Sequence, residues 1–538
     1  MDVPAHAVKS FRFLLLAICV FGAALRLHGI HNPILDHPNW RQGDTANIAR
    51  NFYRLNGNIL YPQTNYDGPP PHYVELELQI VPYLAAALYH LFGIHPIFGR
   101  LLSLGFSVAT IAVIGLFGRW LFDDALGGLV AALAFAIFPG SIYYGRTFTP
   151  DAAMVFFLTA ALYATARLLL EDLAVEPRRL ARAAGLCTLA LLAKPVALAG
   201  LFAALGPLVE RLRAKHAIRP TALIVLGFVP LAILEMYDHA VRSHAQWLWA
   251  SGILAKHVLP HLIGSFTSIH AFAWQVKHAL YGLNLFRVTM LGTIGTFVVL
   301  LSLFALPRVK MRSPLLLPLW FLGAALYTYA VIAVERVDYY LFLLLPPCAL
   351  AIGGAAVWAR DRFGSDRRAT FALAVGGTIV AVAVLVGGLT AIAPYYRYSK
   401  TAYRNAVALD RALPRSALPV IAHYGPDIFY YMDRFGWEED PYLWTPFDEE
   451  SAIAKGSRYF IAIEDARFRK NLELCAWMSR FPLVRFPGVS WPVYHTSLHA
   501  ILPGARKRWR AFRRAERAGA GRAFLTAHGL CLLHSGKG

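Results

Sequence analysis

The sequence predicts a polytopic α-helical membrane protein with a soluble α/β domain at its C-terminus. Three observations carry that expectation. Hydrophobic residues make up 57% of the chain and charged residues only 16%, and the mean hydropathy is +0.47, a balance too apolar for a soluble protein. Apolar runs long enough to cross a bilayer, or nearly so, recur at 13–30, 78–93, 97–118, 126–143, 150–170, 183–209, 219–237, 283–305, 314–333, 339–358 and 370–393. The net charge of +20 gathers largely in short clusters between these runs, the pattern of positive-inside anchoring and not of a nucleic-acid surface.

At the N-terminus, Lys9 and Arg12 precede an apolar run to Ala24 with no small-residue cleavage site, which reads as a retained signal anchor. Basic clusters orient the remaining segments: Arg178, Arg179 and Arg182; Arg211, Arg213, Lys215 and Arg219; Arg308, Lys310 and Arg312; Arg360, Arg362, Arg367 and Arg368. The last three agree with simple alternation, and the first does not. Two topologies follow. In one, 183–209 is two short helices broken at Lys194-Pro195, 78–93 lies in the interface, and Asp151 and Lys194 face outside. In the other, both segments are single crossings and some arginines are misplaced. Either has about eleven crossings, with the N-terminus cytoplasmic and the C-terminus outside.

Three elements then lie outside: a first loop at about 31–77, a second large loop at about 238–282, and everything after about Pro394. This divides the chain into a transmembrane domain, 1–394, and an outer domain, 395–538. The outer domain has β-rich runs at Leu418–Ala422 and Arg458–Ile463 between helix-compatible stretches, the pattern of a small α/β fold. Its basic tail, from Arg506-Lys507-Arg508-Trp509-Arg510, reads as a solvated helix or a disordered segment, or as one lying on anionic lipid. Cys19, Cys187 and Cys348 fall in apolar segments, which leaves Cys475 and Cys531 as the plausible disulfide pair.

The first loop holds the sharpest candidate. Asp44 stands between Trp40-Arg41-Gln42-Gly43 and a helix-like stretch from Thr45 to Tyr53. An Asp there serves either as an N-cap or first-turn anion, or as a carboxylate at the membrane boundary that, partly desolvated, takes a proton from a hydroxyl. Trp40 would stack on a sugar face. Asp151 opens an apolar helix after Thr149-Pro150, where Thr149 suits the cap and Pro150 the first helical position. It is a dipole anion or a second acid that orients Asp44 or the acceptor, or binds a cation. Lys194, inside an apolar run, snorkels, pairs structurally, or places positive charge where a lipid phosphate sits, as Arg146 and Arg336 also would. The run Glu335-Arg336-Val337-Asp338-Tyr339-Tyr340 is an interfacial aromatic belt or a phosphate-binding element. His257 and His261 have helical metal spacing, but Pro260 intervenes and no acid completes a motif. No metal site is assigned and no cofactor is indicated, although two carboxylates are compatible with a divalent cation.

Together these residues resemble the GT-C class of lipid-dependent glycosyltransferases. The resemblance spans roughly 10–395 and rests on Asp44-Thr45-Ala46-Asn47-Ile48-Ala49-Arg50, the Gly57–Pro62 turn, Glu77 leading into Tyr83–Gly93, Arg100, Thr149-Pro150-Asp151, Leu192-Ala193-Lys194-Pro195, and Asp338-Tyr339-Tyr340 to Pro346-Pro347. The pattern is most similar to the protein O-mannosyltransferases and the aminoarabinose transferases acting on lipid A. It implies inverting transfer of a sugar from a polyprenyl-phosphate carrier to a membrane-associated or periplasmic acceptor, at the periplasmic face of a bacterial inner membrane. It also favours the broken-helix topology. By resemblance, Asp44 is the base, Asp151 the second acidic position, and Lys194 and Tyr340 belong to the carrier phosphate. With Trp40, Arg41, Glu77, Arg146, Arg336, Asp338 and Tyr339, these form the expected site. Two departures stand out: Thr45 follows Asp44 where members often have Glu, and Leu78-Gln79 follows Glu77 where the aminoarabinose transferases have Lys-Pro. A transporter of lipid-linked sugars, the alternative, should show inverted repeats with matching broken helices, and none is evident in the sequence.

Overall fold

Seven helical stretches among the described residues are long and apolar enough to cross a membrane: Ile97–Phe122, Asp151–Glu171, Pro220–Arg242, Ile269–Arg308, Leu316–Glu335, Asp338–Phe363 and Arg367–Ala412. These come from a computed structural model that describes residues 5–531 except 173, 498 and 500. Two more apolar helices, Ile80–Phe92 and Ala125–Ile137, have 13 residues each, which at 1.5 Å per residue is about 20 Å against a hydrocarbon core of about 30 Å. The chain is therefore a helical polytopic protein with about seven to nine apolar spans, fewer than the eleven expected. The shortfall has local causes. The run at 183–209 is divided into Pro177–Ala193, Ala197–Leu201 and Leu205–Arg213, with Lys194 extended at the break. The helix Ala125–Ile137 also stops short, at Phe138-Pro139, and a separate turn covers Pro139–Tyr144. Residues 238–282, expected as a loop, are mostly helical, and the helix from Ile269 runs on into the following span.

The described chain divides into two compact units. The first comprises residues 1–32, 57–62 and 74–397. Its core is a continuous apolar cluster contributed by most of the helices. Helices Ile97–Phe122 and Ala125–Ile137 approach closely through small residues: a Cβ on Gly128 would sit 2.4 Å from the Gly115 carbonyl oxygen. Arginines inside this unit satisfy backbone groups. Arg26, fully buried, donates to Ser107 Oγ, Ser141 Oγ and the carbonyls of Gly22 and Ala136. Arg100 donates to the carbonyls of Gly29, Ile30 and Asn32.

The second unit comprises residues 33–56, 63–73 and those from 398 onward. It contains a five-stranded mixed sheet of β1 (Pro419–Ala422), β2 (Trp437–Glu439), β3 (Tyr459–Ile461), β4 (Leu483–Val484) and β5 (Val493–His495), in the order β2-β1-β3-β5-β4. The β2-β1-β3 pairings are parallel and β3-β5-β4 antiparallel. Both β-rich runs noted in the sequence are strands of this sheet. Cys475 and Cys531 form a disulfide across 56 residues, while Cys19, Cys187 and Cys348 are free and buried. Unlike the division expected near residue 394, most of the first loop, with its helix Asn39–Arg54, belongs to this unit.

Candidate active site

In the second unit, helix Asn39–Arg54 begins after Pro38, which provides no side-chain cap. Asp44 is its sixth residue, so neither capping nor a first-turn role accounts for it. The helix lies against Asp427–Met432 because Gly43 permits it: a Cβ there would fall 2.5 Å from the Asp427 Cα. Asn39 donates to Asp427 Oδ2 (3.0 Å), Asn47 to the Pro426 carbonyl (3.0 Å) and Arg50 to the Tyr430 carbonyl (2.7 Å), and Arg50 also pairs with Asp433 at 2.9 Å. Asp44 is 1% exposed. Arg41 Nη1 lies 2.9 Å from its Oδ2, and the buried Tyr66 hydroxyl donates to its Oδ1 at 3.2 Å. One carboxylate oxygen thus meets a countercharge and the other a neutral donor. Trp40, the expected sugar platform, is half-buried at the start of the same helix.

Around Asp44 lies an acid-rich neighbourhood that the sequence reading did not single out. Burial, then the Glu439 and Asp44 carboxylates, raise Asp67 to about 7. Glu438 is raised well above the usual carboxylate range by burial and then by Asp67. His423 places Nδ1 2.8 Å from Glu464 Oε1 and Nε2 3.4 Å from Asp427 Oδ1. Burial pulls its pKa down, but the hydrogen bonds to Asp427 and Glu464 outweigh that and raise it to about 10. Such a cluster holds protons near neutral pH. The available sequence signals were the turn-forming Asn65-Tyr66-Asp67-Gly68 and the run Glu438-Glu439-Asp440.

In the first unit, Asp151 is the first residue of helix Asp151–Glu171, with Pro150 and not Thr149 at the cap position. Lys194 sits where the backbone leaves helix Pro177–Ala193. Its Nζ is 2.6 Å from Asp151 Oδ1, with both side chains buried. Asp151 Oδ2 is buried with no hydrogen-bond partner among the described residues. The same ammonium lies 4.1 Å from the Tyr340 ring centroid and 5.2 Å from that of Tyr339, an arrangement favourable to a desolvated cation. Asp338 accepts from its neighbour's amide, Tyr339 N (2.8 Å), and from the Tyr395 hydroxyl (2.8 Å). Asp151, Lys194, Tyr339 and Tyr340 are therefore drawn together, with Asp338 on the same short helical segment as the tyrosines.

The remaining expected residues have the following contacts. Arg146 donates to the Gly29 carbonyl (2.9 Å) and stacks over Tyr143 and Tyr396. Arg336, in a left-handed backbone conformation (φ 52°), lines a cavity of about 620 Å³ with Lys277, His278, Leu280 and Tyr281. Glu77 is buried, and its carbonyl accepts from Gln79 Nε2. Trp40, Arg41 and Asp44 belong to the second unit and the remaining expected residues to the first. His257 lies 3.4 Å from Glu335, and His261 Nδ1 is 2.7 Å from the His257 carbonyl oxygen.

Residues 79–237 match the dolichyl-phosphate-mannose-protein mannosyltransferase family. The fold is similar to that in the crystal structure of ArnT from Cupriavidus metallidurans bound to undecaprenyl phosphate, with a TM-score of 0.58 and 14% identity over 93% of this chain and 100% of that one. The apo state of the same protein gives 0.56 and 14% over 92% and 100%. The chain thus shares the ArnT fold. The Pmt1-Pmt2 protein O-mannosyltransferase complex of S. cerevisiae bound to its sugar donor aligns at a TM-score of 0.31 and 18% identity, over 43% of this chain and 32% of that one. No curated protein matches the sequence. Asp151 and Lys194 lie within the family-matched segment, whereas Asp44, Arg336 and Tyr340 lie outside it.

Proposed function

We propose that this chain performs inverting transfer of a sugar from a polyprenyl-phosphate carrier to an envelope acceptor, a lipid, glycan or protein, at the periplasmic face of a bacterial inner membrane. The observation that carries this reading is Lys194: a buried ammonium at a helix break, paired with Asp151 and covered by Tyr339 and Tyr340. A fixed cation in an apolar surround suits the charge that develops on a departing phosphate. The cavity lined by Lys277 and Arg336 offers further positive charge, which suits a chain with Leu78-Gln79 at the positions where the aminoarabinose transferases have Lys-Pro.

In the reaction, Asp44 takes the proton from the acceptor hydroxyl or amine as that atom bonds to the anomeric carbon. The bond between that carbon and the carrier phosphate oxygen breaks on the opposite side, and the phosphate leaves with the electron pair. Arg41 and Tyr66 hold the Asp44 carboxylate. Lys194 stabilises the leaving phosphate, assisted by Arg336, and Asp151 fixes the lysine. Trp40 receives a sugar face. The basic clusters between the apolar runs favour an N-terminus inside and the domain from residue 395 outside, and the Cys475–Cys531 disulfide favours that oxidising side.

The test uses purified wild type, Asp44→Asn and Asp151→Asn, with a panel of polyprenyl-phosphate sugars and a crude envelope extract as acceptor. The expected result is release of polyprenyl phosphate with sugar incorporation by wild type. Asp44→Asn should lose both while remaining folded and binding donor. No release from any donor, with translocation of labelled lipid-linked sugar in liposomes, would overturn the reading in favour of a transporter.

A further inference from the structure

The net positive charge of the second unit's described residues lies in their last segment. Residues 398–497 contain twelve Lys and Arg against twelve Asp and Glu, whereas residues 501–531 contain eight against one. Most of that excess lies on one helix, Ala505–Arg517. Its exposed cations are Arg506, Lys507, Arg510, Arg514 and Arg517. At 3.6 residues per turn, these five fall within an arc of about 100° and extend over about 16 Å of helix.

The opposite face is held in place. Ala505 and Phe512 are buried. Phe512 stacks on Trp509 with ring centroids 5.7 Å apart and meets Phe524 at 6.1 Å. Arg513 is turned to Glu473, and the Cys475–Cys531 disulfide ties the following segment to the preceding helix. The helix's single acid, Glu516, is half-buried and lies 3.7 Å from Arg513. The cationic arc is thus presented on a fixed support, with no acid on it to neutralise its charge.

From this geometry we infer that helix Ala505–Arg517 is a docking surface for the anionic headgroups of a lipid membrane. Two arguments select that occupant. The arc carries cations and no large apolar side chain, which suits electrostatic contact with phosphate-bearing headgroups and not insertion among acyl chains. The unit is also joined covalently at Arg397-Tyr398 to the membrane-spanning unit, so a bilayer is permanently at high effective concentration. This inference does not depend on which sugar or acceptor the enzyme uses.

The experiment is hydrogen exchange on the full chain in nanodiscs of zwitterionic lipid alone and of zwitterionic with anionic lipid. Backbone amides of 505–517 should exchange at least about tenfold more slowly in the anionic discs. The difference should vanish in about 0.5 M salt, where the screening length falls to a few ångströms, and in the double variant Arg510→Glu/Arg514→Glu. Unchanged exchange in Leu472–Met478 in that variant shows that the unit remains folded; if those amides also exchange faster, Arg510→Gln/Arg514→Gln replaces it. Equal exchange of 505–517 in both lipids would overturn the assignment. So would protection conferred by a soluble polyanion but not by anionic discs.

Discussion

The Lys194 ammonium lies 2.6 Å from the Asp151 carboxylate although the residues are 43 apart in sequence. The pair joins the start of one helix to the end of another in an apolar interior. Removing one partner leaves the other charged and buried. Lys194→Met should therefore cost about 3–5 kcal/mol, while Lys194→Met/Asp151→Asn should recover a substantial part. Thermal unfolding of both variants in detergent checks this. Equal destabilisation of the single and double variants would show that the pairing contributes nothing.

Tyr66 is expected to position the Asp44 carboxylate by the 3.2 Å hydrogen bond to Oδ1. A hydrogen bond to a charged group is worth about 1.5–3 kcal/mol, so Tyr66→Phe should lower kcat about tenfold or more. Steady-state kinetics with varied donor should find KM for the carrier sugar little changed. A change confined to KM would place Tyr66 in donor binding instead.

Gly43→Ala would put a methyl group 2.5 Å from the Asp427 backbone. Overpacking of this kind costs about 1–3 kcal/mol. Limited proteolysis should then cut within residues 33–73 faster than in wild type, and activity should fall although Asp44 is intact. Unaltered proteolysis would mean that helix Asp427–Met432 gives way without cost.

The stability of the second unit should decline as pH rises from about 4 to 10. Burial raises Glu449 from 4.5 to about 8, countered in part by a hydrogen bond from Trp444 Nε1. Its folded form holds a proton that the unfolded chain releases, so this contribution is full below pH 4.5 and is lost as pH rises through 8. His423, raised from 6.5 to about 10, acts in the same direction: its contribution is full below 6.5 and is lost by 10. Glu449→Gln should flatten the lower part of the curve and stabilise the unit at pH 8 by a few kcal/mol. Chemical denaturation across pH, followed by tryptophan fluorescence, measures both effects. A wild-type curve that rises over this interval would contradict the sign.

Local pattern made the membrane class, the Lys194-Pro195 break, the helix starting near Asp151, two strands of the sheet and the cysteine pair legible from sequence alone. Each depends on apolar run length, proline chemistry or alternation within a few residues, so no distant partner is needed to read it. At 126–143, where hydropathy alone set the bounds, the apolar run hides the end of helix Ala125–Ile137 before Phe138-Pro139, because hydropathy does not register a helix end inside an apolar run. Only the tertiary structure decided that the first-loop helix joins the C-terminal sheet domain, that Asp44 stands in its second turn between Arg41 and Tyr66, and that Arg146 turns to Gly29, Tyr143 and Tyr396. The contact between Gly43 and Asp427 joins segments 384 residues apart and leaves no periodic trace in the sequence. Such contacts arise from shape and charge complementarity between distant segments, which composition and spacing do not encode.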